Sequence, residues 1–516
     1  MAATSRTRNA SLNLVTTFGQ QLLGIVLRFA VRTIFVYTLG KAYLGINGLF
    51  ADILTMLSLA EFGFDAAINY KLYRPLADHD ERTLRKYLKF YRQIYCMVGS
   101  IILILGVLLI PLLPVLIKDY DRVGALGINA VLIYVLYLLH SVSSYLFFAY
   151  RSAIVKADQK SYIFNAISSA VYVARSAFQI VILLVWQNYV AYIATLIGFN
   201  ILQNLINAII ATKKYPGCFK GETDQMSKQE ILDMFKDCLA LFVFKIDDVV
   251  IKATDNLVLS SIHGLVLVGE YSTYLLIYTS IKSILIRMYD AVKASMGNLF
   301  AEEDVERKYF FFETTNFLTM IIYGTAGAVI AIITNEVISC WLGQNYVIAQ
   351  PLPLMIGIEM LFAGIKINLN QIRNVSGVFR QMWYRPVIGT LINLIVSIIG
   401  VWLWGINGVV LGTILSLIFA NFTVDPAVIH KYCFAGFQPV SRYYKRNFGY
   451  MAVLAMSGLI AMWLCSNVVV GYGWFSVLVH GIICCAVIPL IFLVIYFRTP
   501  ECRYLIKKMK SIFKRR

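Results

Sequence analysis

Two arginines stand in the middle of a stretch that is long and apolar enough to cross a bilayer. Within Leu12 to Thr38, the residues Thr17, Gln21, Gly24, Arg28 and Arg32 follow one another at spacings of four, three, four and four. That rhythm gathers them on one helix face and leaves Leu22, Leu23, Ile25, Val26, Phe29 and Ala30 for lipid or neighbouring helices. A charge at mid-bilayer costs roughly 2.5 to 3.5 kcal/mol on insertion scales, so both guanidinium groups need water, an anion or a carboxylate beside them. The chemistry these residues suggest is the holding of an anion, with Gln21 as a polar neighbour.

Further polar stripes occur in other apolar stretches. LFVFKIDDVVIKATDNLVLS is the most charged: Lys245, Asp248, Lys252 and Asp255 are spaced three, four and three and share a face, whereas Asp247 points elsewhere. Two readings fit this helix. Its charges neutralise one another at i, i+3 and i, i+4, or they line a watery cavity together with Arg28 and Arg32, where carboxylates hold a proton or Na⁺. Glu61, Asp65 and Asn69 repeat every four residues; the two acids either pair with Arg28 or Arg32 or serve as ion-coupling groups. Tyr172, Arg175 and Gln179 form another stripe, and Glu359, Lys366, Asn370 and Arg373 form one that runs towards a helix end, where Lys366 and Arg373 can snorkel. Tyr271, Tyr274, Tyr278 and Lys282 share a face whose rings serve either as packing or as a platform for sugars. If these stripes face inward, the cations at Arg28, Arg32, Arg175, Lys245, Lys252 and Lys366 make the cavity attractive to an anion, and Glu61, Asp65, Asp248, Asp255 and Glu359 are the candidates for ion coupling.

The elements that must position these side chains are membrane helices. With 516 residues, 59% of them hydrophobic and only 14% charged, the chain is too apolar for a soluble multidomain protein. The formal charge of +18 falls in clusters between apolar spans, which is how membrane proteins mark their cytoplasmic side, so nucleic-acid binding is not expected. Nine scattered cysteines give no C-x-x-C pair and read as small hydrophobes. The first apolar stretch exceeds a signal-peptide core and is expected to be retained.

About fourteen spans of roughly 20 residues are expected, near 12–38, 44–70, 90–117, 124–150, 161–187, 189–212, 234–261, 266–291, 309–334, 349–372, 382–404, 407–430, 446–468 and 473–497. Alternate connections carry the basic clusters, among them Arg82, Arg85 and Lys86, then Lys213 and Lys214, then Arg373, Arg380 and Arg385. The positive-inside rule makes these connections cytoplasmic and puts both termini with them. The basic tail KKMKSIFKRR agrees and is expected to touch anionic lipid. The long connection KKYPGCFKGETDQMSKQEILDMFKD is broken by Pro216, Gly217 and Gly221, and Ser227 to Glu230 reads as a capping box for the next helix.

An internal repeat lies on top of this pattern. Tyr37 to Phe50 overlays Ser261 to Tyr274 at an offset of 224, matching Gly40 with Gly264 and Gly45 with Gly269; a second segment, at an offset of 218, matches Trp186 with Trp404 and Thr195 with Thr413. Six spans duplicated in parallel give two lobes with a substrate site between them, a transporter pattern. The expected architecture is therefore an all-α polytopic membrane protein with two six-helix lobes around a central cavity and two further C-terminal helices. Its parts are an N-lobe at 1–212, a linker at 213–233, a C-lobe at 234–430, and 431–516 with the last two spans and the tail.

The opening segment, with its leading Asn, the Gln and Arg of the first helix, the turn YTLGKAYLGINGLF and the element LAEFGFD, resembles that of the bacterial polysaccharide flippases, the O-antigen and capsule repeat-unit transporters of the multidrug/oligosaccharidyl-lipid/polysaccharide exporter superfamily. The segment DDVVIKATDNL followed by VGEYSTY resembles their second-lobe counterpart. The resemblance implies alternating access, a bacterial cytoplasmic membrane, and flipping of undecaprenyl-pyrophosphate-linked oligosaccharide from inner to outer leaflet. It implies that Arg28, Arg32 and Lys252 bind the pyrophosphate, arginine in bidentate fashion and lysine as a point charge. A polysaccharide polymerase and glycosyltransferases are the implied pathway partners. No cofactor is expected beyond a coupling Na⁺ or H⁺. The alternatives are a lipid II or spore-cortex flippase and a drug/cation antiporter of the same superfamily, the latter calling for carboxylates rather than clustered Arg and Lys. A membrane glycosyltransferase or polymerase would need catalytic groups on a large outer loop. The outer connections are short, and no Gly-rich phosphate loop, Ser/His/Asp set or metal cluster is present in the sequence, so a non-enzyme is expected.

Overall fold

The computed structural model describes residues 2–61, 64–118, 120–125, 127, 129–158, 160–221, 224–302, 304–468, 471 and 473–514, and their side chains except at 2–11, 14, 65–67, 122–123, 125, 237, 239–241, 252, 290–295, 298, 301–302, 509 and 511–514. Among the described residues there are helices and no strands. Among the described residues, eleven helical segments are long and apolar enough to cross a membrane; a twelfth arises if Ala130–Leu146 and Ala149–Ala157, bent by 42° at their junction, count as one span. The bend follows Phe148, whose backbone is left-handed at φ 56°. The chain is a multi-pass membrane protein.

The expected spans near 234–261 and 266–291 fall outside that count. Each nevertheless lies within one long helix, Lys228–His263 and Leu265–Glu302. The first of these carries Lys245, Asp247, Asp248, Lys252 and Asp255 within three turns, and the second interleaves Glu270, Lys282 and a run of tyrosines. Charge and hydroxyl content, not length, separate them from the rest. The expected continuous helix at 44–70 is broken: an α-helix ends at Leu57 and a 3₁₀ turn covers Ser58–Glu61. There Thr55 Oγ1 donates to Ala51 O at 2.8 Å and Ser58 Oγ to Thr55 O at 2.6 Å, side-chain bonds that compete with the α-helical ladder.

The chain divides into two compact units, Met1–Ser272 and Thr273–Arg516. The first contains α1 (Ala2–Leu39), α2 (Lys41–Leu57), α3 (Phe64–Ala77), α4 (Glu81–Leu109), the short α5 (Leu113–Leu116) and α6 (Tyr120–Ala125), α7 (Ala130–Leu146), α8 (Ser152–Ala157), α9 (Ser161–Val185), α10 (Tyr189–Lys214), α11 (Lys228–His263) and the first turns of α12 (Leu265–Glu302). Here α1 packs along α9, α9 along α10, α7 against α4 and α10, and α2 against α11. Small polar side chains set these pairings, as expected where apolar burial gives no preference between helix and lipid. Asn13 Oδ1 accepts from Tyr162 N at 2.7 Å and Asn165 Nδ2 donates to Thr17 Oγ1 at 2.9 Å, joining α1 to α9. Gln203 Nε2 reaches Ser168 Oγ at 2.9 Å, and Asn200 Nδ2 reaches Ser143 and Ser144.

The glycines matched by the internal repeat meet inside this unit. Gly40 and Gly264 adopt nearly the same torsions, φ 86° ψ −174° and φ 85° ψ 178°, a region open to glycine that lets one helix end and the next begin without a loop. Five residues on, a Cβ at Gly45 would lie 1.9 Å from Leu265 O and one at Gly269 would lie 2.3 Å from Lys41 O. The two copies of the motif therefore pack backbone to backbone.

On the same unit the basic start of α4 holds the long connection. Arg85 Nη1 donates to Gly217 O and Lys220 O at 2.8 and 3.0 Å, Arg82 pairs with Asp224 at 2.8 Å and Lys86 with Glu230 at 2.8 Å. The capping box at Ser227 and Glu230 forms with both of its bonds. Lys86 and the Ser227 N–H together hold the Glu230 carboxyl below its ordinary range, and Arg82 does the same for Asp224.

The second unit contains the rest of α12, then α13 (Val305–Leu342), α14 (Leu352–Ser376), α15 (Tyr384–Trp404), α16 (Ile406–Ser416), a π-helical turn at Leu417–Phe422, α17 (Thr423–Tyr432), α18 (Val440–Asn467), α19 (Trp474–Tyr496) and α20 (Pro500–Lys514). Its core is aromatic, built from Tyr309, Phe312, Phe317, Tyr443, Tyr450 and Phe492 with aliphatic neighbours. Glycine again permits close crossings, for a Cβ at Gly327 would meet Gly357 O at 2.4 Å.

Candidate functional site

In the first unit, α1, α7, α9 and α10 bring cations and phenol rings together. Arg32, near the end of α1, donates from Nη2 to Ser272 Oγ at 2.5 Å, and that hydroxyl donates in turn to Gly269 O at 2.8 Å. Arg175 on α9 places its guanidinium 4.6 Å from the centre of the Tyr172 ring, a cation–π contact within one helix turn. Its Nε is buried and makes no hydrogen bond, and no carboxylate among the described residues pairs with it. One turn on, Gln179 is buried and its Nε2 is also without a partner. Both Arg32 and Arg175 lie within electrostatic reach of the buried Tyr192 hydroxyl on α10, and Arg175 within reach of His140 on α7.

An aromatic wall backs these groups. Tyr189 and Tyr192 stack at 6.1 Å, Phe35 meets both edge-on at 5.7 and 5.1 Å, and Tyr43 meets Tyr189 at 5.1 Å. The Tyr137 hydroxyl donates to Asn47 Oδ1. Arg175 on a ring face and Arg32 near the Tyr192 hydroxyl are together suited to an anion joined to a flat or hydroxylated group.

The acids of the unit gather elsewhere, between α2 and α11. Asp52 Oδ2 accepts from Asn256 Nδ2 at 2.5 Å, and Asp247 and Asp255 are buried while Asp248 is exposed. Glu61 pairs with Lys245 across helices at 2.6 Å. This differs from the expected pairing of Glu61 with Arg28 or Arg32, and it ties Lys245 to another element rather than only to its own helix. Lys41 and Glu270 pair at 2.6 Å beside the glycine contact.

The remaining expected site residues are placed as follows. Arg28 is exposed and Gln21 half-buried on α1. The side chains of Asp65 and Lys252 lie outside the described residues. Tyr271, Tyr274 and Tyr278 are all buried. The Tyr274 hydroxyl donates to Asn335 Oδ1 at 2.6 Å and accepts from Ile348 N at 2.7 Å, and Tyr278 accepts from Lys282 Nζ at 2.8 Å. Glu359, Lys366 and Arg373 belong to the second unit, where Glu359 and Arg373 are buried and Arg373 lies 5.7 Å from the Phe379 ring.

That unit also holds an ion pair missed in the sequence. Arg385, read there as a loop charge that marks the cytoplasmic side, is the second residue of α15 and pairs with Asp425 at 3.3 Å, each side chain only 1% exposed. Asn421 Nδ2, presented by the π-helical turn four residues earlier, donates to Asp425 at 3.0 Å, and Arg373 and Lys366 lie within electrostatic reach of the same carboxylate. The signal was present, since Asp425 and Asp52 are acids inside apolar spans. Tyr189 and Tyr192 left no such mark, because a tyrosine in a membrane helix is ordinary. No group of three or more His, Cys, Asp or Glu side chains among the described residues is arranged to hold a metal.

No family model matches this sequence, and no curated protein matches it. Solved structures do. A lipid II flippase MurJ in an inward closed conformation is 14% identical with a TM-score of 0.60, covering 93% of this chain and 98% of that one. An inward-facing MATE multidrug transporter of the MOP superfamily is also 14% identical with a TM-score of 0.60, covering 80% and 94%. A Vibrio cholerae MATE transporter is 12% identical with a TM-score of 0.56, covering 85% and 99%. At such identities the likeness is one of fold. These neighbours are transporters and a flippase.

Proposed function

We propose that this chain flips a polyprenyl-pyrophosphate-linked oligosaccharide across the bacterial cytoplasmic membrane by alternating access, for the assembly of a surface polysaccharide. The observation that carries this reading is Arg175, a half-buried guanidinium whose buried Nε has no hydrogen bond and which has no carboxylate partner among the described residues, lying with Arg32 around a wall of tyrosines. A drug-cation carrier has no use for such a charge, whereas a pyrophosphate supplies the oxygens it lacks. Arg28, one turn below Arg32 and exposed, extends the cationic track along α1. Tyr172, Tyr189 and Tyr192 offer ring faces and hydroxyls to the sugar attached to the phosphate.

In this reading α11 and α12 also cross the bilayer, which brings the spans to fourteen, with both termini cytoplasmic and the connection at 213–233 joining two lobes. The half-buried Asp52 and the buried Asp255 are the coupling groups, with H⁺ or Na⁺ as the ion. Membrane potential assists as well, since moving negative charge outward is favoured by about 2.3 kcal/mol per charge per 100 mV.

The test is translocation of a labelled polyprenyl-pyrophosphate oligosaccharide in proteoliposomes. Arg175→Ala and Arg32→Ala are expected to slow flipping at least about tenfold, since a hydrogen bond to a charged group contributes about 1.5 to 3 kcal/mol. Undiminished flipping by both variants at matched, folded amounts would sink the assignment. A second reading, efflux of an organic cation, is favoured by the half-buried carboxylate Asp52 and the buried carboxylates Asp247 and Asp255. It predicts dye efflux that depends on Asp52 and is indifferent to Arg175.

A further inference from the structure

The C-terminal helix is docked to the protein along one side and basic along the other. The last candidate span, α19, ends at Tyr496, and α20 begins four residues later at Pro500, the point at which a spanning α19 would leave the bilayer. Its inner side is held by more than apolar contact. Glu501, 1% exposed, accepts from Arg446 Nη1 at 2.7 Å, and the same guanidinium nitrogen reaches Glu313 Oε1 at 2.7 Å on α13. Cys502 is buried in the core, Leu505 and Ile506 pack against it, and the Tyr504 ring meets Phe310 edge-on at 5.5 Å.

The outer side has the opposite character. Arg503, Lys507 and Lys510 follow at spacings of four and three on one stripe, Lys508 stands beside them, and all four are exposed, as is Arg498 in the preceding turn. Glu501, the only acid in PECRYLIKKMKSIFK, is turned inward and neutralised by Arg446. A row of cations thus lies at a bilayer surface on a helix that cannot swing free without breaking a buried ion-pair relay.

We propose that α20 binds the headgroup phosphates of acidic phospholipids in the adjoining leaflet, through Arg503, Lys507, Lys508 and Lys510. Charge complementarity selects this occupant: basic residues next to an anionic leaflet each contribute about 1 kcal/mol, and the attraction is screened by salt. The Glu501–Arg446–Glu313 relay then links lipid bound on α20 to α13 and α18.

The experiment uses the full chain in nanodiscs of phosphatidylcholine alone or mixed with phosphatidylglycerol, and reads hydrogen exchange of the α20 amides. Phosphatidylglycerol is expected to slow exchange in α20 about tenfold in the native chain, an effect that high salt removes. The quadruple variant R503Q/K507Q/K508Q/K510Q should lose the lipid dependence, and the charge-preserving R503K/K507R/K508R/K510R should keep it. If the native chain exchanges equally in both lipids, or the neutral variant keeps the lipid effect, the proposal is overturned. Should the neutral variant fail to fold, the salt dependence in the native chain decides: persistence of the effect in high salt overturns it too.

Discussion

Arg175 in the first unit and Arg385 in the second are both guanidinium groups set into apolar helices, yet their surroundings differ in kind. Arg385 is 1% exposed, faces Asp425 at 3.3 Å, and has an asparagine, a second arginine and a lysine arranged about the same carboxylate. Arg175 rests on a tyrosine ring, shares its neighbourhood with another cation, and has a buried nitrogen without a hydrogen bond. A buried pair that loses one member is left with an uncompensated charge, which is why Arg385 reads as architecture. A cation with no carboxylate partner among the described residues is tolerated beside water, an aromatic face or a bound anion, which is what makes Arg175 the candidate binding group of the proposed function. The contrast concerns company rather than residue type.

The comparison can be broken or sharpened by measurement. Asp425→Ala should lower stability most, by about 3 to 5 kcal/mol, because Arg385 is then stranded in an apolar interior; the double variant Arg385→Met with Asp425→Leu should recover most of the loss. Thermal unfolding in one detergent reads both, and an equal loss in single and double variants would return Arg385 to the ordinary class of core residues. Arg175→Ala should show the reverse profile, with unfolding close to native and flipping reduced at least about tenfold. If Arg175→Ala unfolds as readily as Asp425→Ala, the distinction between the two arginines fails.

Gly45→Val tests whether the contact between the repeated motifs is obligatory. The added side chain collides with the Leu265 carbonyl, so cross-linking yield between cysteines placed on α2 and the first turns of α12 should fall sharply, while Gly19→Ala, where a Cβ meets nothing, should leave it unchanged. The ion pair Lys41–Glu270 beside it is partly exposed, so Glu270→Gln should cost no more than about 1 kcal/mol.

The smallest effects belong to the connection docked on α4. Ser227→Ala removes half of the capping box and should cost about 1 kcal/mol of helix-end stability, seen as faster amide exchange at the start of α11. Acid should loosen the same place. The Glu230 carboxyl is held below its ordinary value of 4.5, so its contribution is complete above that pH and fades as pH falls through the lowered folded value. Protection of residues 224–230 that does not change on acidification below 4.5 would deny Lys86 and Ser227 this role.

Some of this was legible before any coordinate. The helical class and most spans follow from runs of apolar residues, because a bilayer obliges each backbone polar group to bond within its own helix. The capping box at Ser227 was visible because it is local, a bond between residues three apart. The matched glycines were visible as a repeat, though not as a contact. Other features were hidden. Arg385 sits beside Trp383 and Tyr384 and three residues after Met382, a sequence neighbourhood that looks like a loop end, and nothing local announces Asp425 forty residues later as its partner. Glu61 has arginines nearer in the chain, but its carboxylate meets Lys245.

Sequence by itself therefore determined the solvent of this protein, the helical class, and the presence of more cations than an apolar interior tolerates alone, since each of these depends on composition or on bonds within a few residues. Only the tertiary structure decided which cations are neutralised and which are not. That is a matter of distances of a few ångströms between residues far apart in the chain, where Coulomb energy in a low dielectric changes steeply with position.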